Sequence, residues 1–214
     1  MKQKYLVSFI ILFFSISTNV VAQRFKAAAI AGINLSQMDG DNRTGFDKLG
    51  LQFGIKGIAI LTDQFHINTE MLFSQKGARF QSNAGKEKKD YTINLNYMEV
   101  PVLVDVLLKK IDKDHYRHHL MAGVSYARLL SSNFKEPENS LLTYKPFEKD
   151  FNKNELSIVF GYTNYISQNI GIGIRYTVAT SRLFEREGMI SPTDSNQSEF
   201  LRNYYISARL VYSF

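Results

Sequence analysis

Glu70 and Glu99 are the two residues of this chain whose types most directly suggest chemistry, because carboxylates held in unlike surroundings can divide the work of general acid and base. Each lies on the polar side of a segment in which apolar and polar residues alternate, and so do Lys26, Lys56, Lys76, Asp105, Glu155, Arg175 and Arg209. Cations and carboxylates that share one enclosed face pair with each other, since an isolated buried charge is strongly unfavourable. Glu70 and Glu99 are therefore expected to form salt bridges with Lys56, Arg175 or Arg209, and catalysis by them is not expected. The set reads as a polar plug, with a proton or ion route as its functional alternative.

Two other groups have suggestive types and unsuitable spacing. His115 and His119 would lie about 13 Å apart on a strand, with His118 on the opposite face, which is too dispersed for one metal ion. Ser74 and His66 have the types of a nucleophile and its base, yet nothing resembling a nucleophile-elbow motif accompanies them. No catalytic residue, metal or cofactor is assigned.

The elements that would position the charges are strands of period two. Phe25, Ala27, Ala29, Ala31, Ile33 and Leu35 share one face, and the same alternation recurs from Leu49 to Leu61, Phe65 to Lys76, Leu120 to Tyr126, Leu156 to Tyr162 and Ile170 to Val178. Between Tyr91 and Leu107 an apolar row at Met98, Val100, Val102, Val104 and Val106 gives way above Tyr97 to apolar residues at odd positions. That change predicts a bulge near Tyr97, or an upper part lying outside an apolar slab. Pro101 cannot donate to a ladder and conflicts with a central strand. The last alternation, Tyr204 to Phe214, brings the number of strands to eight, and no convincing helix follows the first residues.

The connections alternate in length. Residues 36–48, 80–90, 131–150 and 181–200 are long and polar, whereas 62–64, 109–114 and 167–169 are short. Outer-membrane barrels sort their connections in this way, with short turns on the periplasmic side and long loops outside. The fold expected is an all-β, eight-stranded antiparallel up-and-down transmembrane barrel whose first and last strands pair, leaving no open edge. Tyr212 and Phe214 then fall at the periplasmic interface, where aromatic residues form a girdle.

At the start, Lys2 and Lys4 precede an apolar run from Tyr5 to Ile16 and the small-residue site Val20-Val21-Ala22. Residues 1–22 are expected to be a secretory signal peptide and 23–214 the barrel domain. With Lys2 and Lys4 in the leader, the 26 basic residues fall to 24 against 20 acidic ones. The densest basic cluster, Lys86-Glu87-Lys88-Lys89, reads as a solvated loop, and nucleic acid is not an expected partner. The absence of cysteine excludes disulfides, thiolate metal sites and lipid attachment after the leader.

AAIAGINLSQ at residues 28–37, EMLFSQKG at 70–77, YMEVPVLVDV at 97–106, LMAGVSYARLL at 120–130 and the NYYISARLVYSF ending resemble, in that order, the PorT-like outer-membrane β-barrel family of Bacteroidota. The resemblance implies an eight-stranded barrel in the cell outer membrane. The family's namesake takes part in type IX secretion, so an accessory role in such a system is one expectation. The alternating last strand with its terminal Phe214 also resembles the signal read by the barrel assembly machinery, which makes Tyr212 and Phe214 expected contacts during biogenesis.

The expected role is non-enzymatic, with structural, adhesion or accessory partner-binding functions carried by polar loops. Outer-membrane lipids surround the barrel, and an envelope protein or glycan is the expected partner of loops 131–150 and 181–200. Alternatives are a lipid- or peptide-modifying enzyme at the outer rim and a soluble lipocalin-like carrier. Charged residues on the inward face argue against the carrier.

Overall fold

The computed structural model describes residues 24–39, 45–84, 87–112, 115–135, 151–185 and 200–214, and the expected leader lies outside them. Among the described residues there are nine strands and no helix: β1 (Arg24–Asp39), β2 (Lys48–Ile60), β3 (Phe65–Ala84), β4 (Glu87–Asp112), β5 (His115–Lys135), β6 (Asn154–Tyr165), β7 (Ile170–Ala179), the two-residue β8 (Phe184–Glu185) and β9 (Phe200–Ser213). Eight long strands run in the order β1-β2-β3-β4-β5-β6-β7-β9, every neighbour antiparallel, and β1 pairs with β9 to close the barrel. The closing ladder extends from Ala28 opposite Ser213 to Asp39 opposite Arg202. The end of the chain is held on both sides, because Phe214 N donates to Ala27 O at 2.9 Å and Asn169 Nδ2 donates to Ser213 O at 2.7 Å.

Period-two side-chain placement divides the wall into two surfaces. Leu49, Leu51, Phe53 and Ile55 on β2 and Ile170, Ile172 and Ile174 on β7 are exposed on the outside, while Gln52, Lys56, Arg175 and Thr177 are buried within. This is the inverse of a soluble carrier, whose apolar residues would line the interior.

Three local features of the sequence take definite form. Pro101 sits in a central strand, and its missing N–H leaves a gap in one ladder only. The β3–β4 pairing passes from Thr69↔Val102 to Leu72↔Glu99, whereas on the β5 side Pro101 remains in register with Ser125. The change of pattern near Tyr97 coincides with a register shift in which Asn96 faces Ser131 and Tyr97 faces Leu129. The extra residue, Leu130, belongs to β5, and β4 keeps its facing, so Ile93, Leu95 and Tyr97 are buried inside. Gly77 has φ +141°, and a Cβ there would meet Ile93 O at 1.8 Å.

One connection differs from expectation. The long loop expected at 80–90 is instead a continuation of β3 and β4, paired out to Ala84↔Glu87. Backbone pairing requires no apolar face once the strands leave a lipid slab, so polar sequence does not end it. Likewise residues 131–135 belong to β5, and Phe184–Glu185 pairs with Leu201 and Phe200.

Replacing Gly77 with alanine adds a side chain where both space and φ refuse it. The Gly77→Ala barrel is expected to lose about 1–3 kcal/mol, read as a lower urea midpoint for loss of the heat-dependent gel shift in lipid vesicles.

Candidate functional site in the barrel interior

An eight-stranded barrel is just wide enough for its inward side chains to fill it, so those side chains must satisfy one another. Besides Lys48, which is buried near the extracellular end and donates to Leu49 O at 2.6 Å, the cations Lys56, Lys76, Arg175 and Arg209 are buried inside with the carboxylates Glu70, Glu99, Asp105 and Glu155. Lys26, also on the inward parity, is exposed at the end that carries the short turns.

Three clusters divide these charges. In the first, Arg175 donates through both terminal nitrogens to Glu70, at 2.8 and 2.9 Å, and Arg209 Nη2 donates to the same carboxylate at 3.1 and 3.2 Å. A guanidinium fork matches a carboxylate in this two-point manner. Glu70 thus joins β3 to β7 and β9, across 105 and 139 residues of chain.

The second cluster surrounds Lys76. Its ammonium pairs with Glu99 and with Glu155, the latter at 2.8 Å, and lies 4.6 and 4.7 Å from the ring centroids of Tyr97 and Tyr205. Tyr205 donates its hydroxyl to Glu99 at 2.9 Å, and Asn203 Nδ2 donates to Glu155 at 2.6 Å. In the third, Lys56 Nζ is 3.3 Å from Asp105, whose Oδ2 is 3.8 Å from His119 Nδ1.

Of the five residues singled out as an interior charge set, the structure brings Glu70, Arg175 and Arg209 together. It places Glu99 with Lys76 and Lys56 with Asp105. Tyr97, Tyr205 and Asn203 went unnoticed in the sequence as members. Their inward parity was readable, but their depth in a staggered barrel was not.

Above the Lys76 cluster the interior turns apolar. Met38, Ala78, Ile93, Leu95, Tyr97, Ala127, Phe151 and Leu183 form one buried cluster at the end with the long connections, and Leu129 and Phe134 pack against it. Phe151 and Leu183 come from connections, and Asn152 N donates to Leu183 O at 2.8 Å to fasten them together. The Phe134 and Phe151 rings meet edge-on with centroids 5.5 Å apart.

The remaining candidates do not converge. Ser74 Oγ accepts from Asn34 Nδ2 at 2.9 Å, and His66 lies eight residues away on the same strand, about 26 Å at strand spacing. His118 faces out and stacks on Tyr162, with its Nδ1 2.6 Å from the Tyr162 hydroxyl oxygen. His119 faces in, against Tyr165, with His66 6.4 Å away between ring centroids. The side chain of His115 lies outside the described residues. Among those residues no three of His, Cys, Asp or Glu are arranged to hold a metal ion. Tyr212 and Phe214 are exposed on the outer wall, with ring centroids 5.6 Å apart in a T-shaped contact.

A family model described as an outer membrane protein beta-barrel domain matches residues 14–185. The chain belongs to that family. The match is to the broad family and does not single out the PorT-like group. Solved structures similar to this chain include Ail, the attachment invasion locus protein of Yersinia pestis, at 12% identity over 88% of this chain and 98% of that one, with a TM-score of 0.46. Neisserial surface protein A matches at 12% identity over 89% and 97% of the two chains, with a TM-score of 0.42. Escherichia coli outer membrane protein W matches at 10% identity over 91% and 100%, with a TM-score of 0.38. At such identities no residue role carries over. A comparison with curated proteins returns no match.

The protein is an outer-membrane β-barrel, and its apolar exterior is the lipid-facing belt. The short turns are periplasmic and the long connections extracellular.

Glu70 is the sole carboxylate contacting both Arg175 and Arg209 among the described residues. Glu70→Gln strands two buried cations and is expected to destabilise the barrel by about 3–5 kcal/mol, whereas replacing all three residues by apolar ones of similar volume is expected to cost far less. Urea titrations in vesicles compare the two. Equal losses would contradict the assignment.

Proposed function

We propose that this outer-membrane barrel is non-enzymatic and that it presents its extracellular connections to a partner around a closed, charge-paired interior. The observation that supports this most is the apolar cluster of Met38, Tyr97, Phe151 and Leu183 at the extracellular mouth, below which the interior charges are already paired. An apolar cluster across the extracellular mouth with paired charges below it supports an interior that offers no through path for solutes. Binding would then fall to residues 131–150 and 181–200, with an envelope protein or a glycan as partner. Phe134 of the first loop is spent on internal packing, and Tyr144 and Phe147 lie outside the described residues.

The lipid- or peptide-modifying alternative would need a nucleophile beside a base, and Ser74 and His66 are too far apart to supply one. An accessory role in a type IX-like secretion system is a narrower form of partner binding and would act through the same loops.

Planar-bilayer recording tests the closed interior: the reconstituted barrel is expected to give no steady current, and a stable conductance would overturn the plug. Replacing residues 136–150 by a Gly/Ser linker is expected to abolish binding on a glycan array or to envelope proteins while the heat-dependent gel shift persists. Tyr212 and Phe214 are proposed as the address read by the assembly machinery. Phe214→Ala is expected to lower the amount of barrel in the outer-membrane fraction several-fold, with the unassembled chain accumulating in the periplasm.

A further inference from the structure

The outer wall of β3–β6 changes character immediately above the lipid-facing belt. Two residues beyond the outward Phe73, and two beyond Met98 toward the extracellular end, the outward positions become Gln75 and Asn96, which face each other across the ladder with Ser131 next in line. These three form a hydrogen-bonded row: Gln75 Nε2 donates to Asn96 Oδ1 at 3.1 Å, and Asn96 Nδ2 donates to Ser131 Oγ at 2.9 Å. Beside the row, Arg128 Nη1 and the Tyr126 hydroxyl both donate to Asn154 Oδ1, at 2.6 and 2.8 Å. Arg79 and Lys135 are exposed further out on the same wall. Among the described outward side chains of this sector there is no carboxylate.

The bulge at Leu130 produces the arrangement. Below it the even positions of β5 face outward, as at Val124, Tyr126 and Arg128. Beyond it the odd positions do so, which sends Phe134 into the apolar cap and turns Ser131 and Lys135 to the outside. One extra residue therefore builds both the seal within and the polar wall without.

The wall is continuous with the belt on the same strands, only about 7 Å beyond it at strand spacing, so it stands at the depth of the extracellular headgroups. Amides and hydroxyls at that depth suit sugar hydroxyls. A guanidinium has five N–H donors, of which Asn154 takes one from Arg128, and the rest suit a phosphate. We propose that the outward face of β3–β6 above the belt binds the phosphorylated saccharide headgroup of an outer-leaflet glycolipid, with Arg128 on phosphate, Arg79 and Lys135 adding charge, and the Gln75–Asn96–Ser131 row on sugar hydroxyls. The inference rests on the outer-membrane placement and not on the display reading.

The test uses the full barrel in phosphatidylcholine nanodiscs doped with phosphorylated or enzymatically dephosphorylated lipid A, the lipid retained per barrel being counted by native mass spectrometry. The wild-type barrel is expected to retain the phosphorylated form about tenfold better, the preference that one charge-assisted contact confers. The combined Arg79→Gln, Arg128→Gln and Lys135→Gln variant is expected to lose that preference while keeping its heat-dependent gel shift. Arg117→Gln, which removes an exposed cation near the periplasmic end, is expected to keep it. Equal retention of the two lipids by the wild type, or an undiminished preference in the triple variant, overturns the proposal. So does loss of the preference in millimolar inorganic phosphate, since the wall would then be a site for the free anion.

Discussion

The ladder between β1 and β9 is the interaction on which the rest of the structure depends. A spanning sheet with an open edge would leave a row of backbone N–H and C=O groups in hydrocarbon, each costing several kcal/mol, roughly as much as a buried amide without a partner. Closure removes that edge and at the same time creates an inside. Once eight strands are joined, inward side chains have no solvent to turn to, and the identity of every even or odd residue acquires a consequence at the opposite wall. Glu70 meets Arg209 because β9 has come round to β1, not because the two are near in sequence.

That inside is filled in two ways, and their proportion changes with depth. Within the membrane, ion-paired clusters are interleaved with buried apolar side chains such as Leu72, Leu103, Met121 and Val159, and the charged clusters cross-link strands that share no ladder: β3 to β7 and β9 through Glu70, and β3 to β6 through Lys76 and Glu155. Such links fix register, since a strand displaced by one residue would turn its charge into lipid. In the extracellular part of the barrel the filling becomes mainly apolar, because there the wall no longer needs an apolar exterior and the apolar residues are free to face in. Ile93, Leu95 and Tyr97 occupy the same parity on β4 as Glu99 and Asp105 and pack the cap instead of pairing charge.

That exchange explains what could be read from the sequence and what could not. Alternation marked the strands inside the membrane, the facing of Lys56, Glu70, Glu99, Arg175 and Arg209, and a disturbance near Tyr97. It could not mark the strand continuations at 80–84 and 87–90, since pairing in water imposes no hydrophobic pattern. Nor could it give the depth of a residue around the barrel, which is set by stagger between strands. For that reason the cation that reaches Glu99 is not one of those expected from the sequence: it is Lys76, 23 positions earlier on the neighbouring strand, while the arginines pair with Glu70. The residue that forms the bulge, Leu130, is a leucine like others around it, and nothing in its type announces that two consecutive positions face outward there.

The two mouths of the barrel are unlike, and the difference bears on where the protein meets other molecules. At the periplasmic end Lys26 is exposed and His66 and His119 are only half-buried beside Asp105, with Ala28, Tyr165 and Val211 buried nearby. At the extracellular end Phe151 and Leu183, from two connections, pack into the apolar cluster inside the barrel. A barrel built to pass solutes would spend its side chains on a path between the mouths. Here Phe151 and Leu183 of the extracellular connections pack into the lumen, and the hydrogen-bonded polar row Gln75–Asn96–Ser131 stands on the outer wall. On the reading proposed above, contact with other molecules is made from the outside of the cylinder, by a surface whose lower edge is already in lipid.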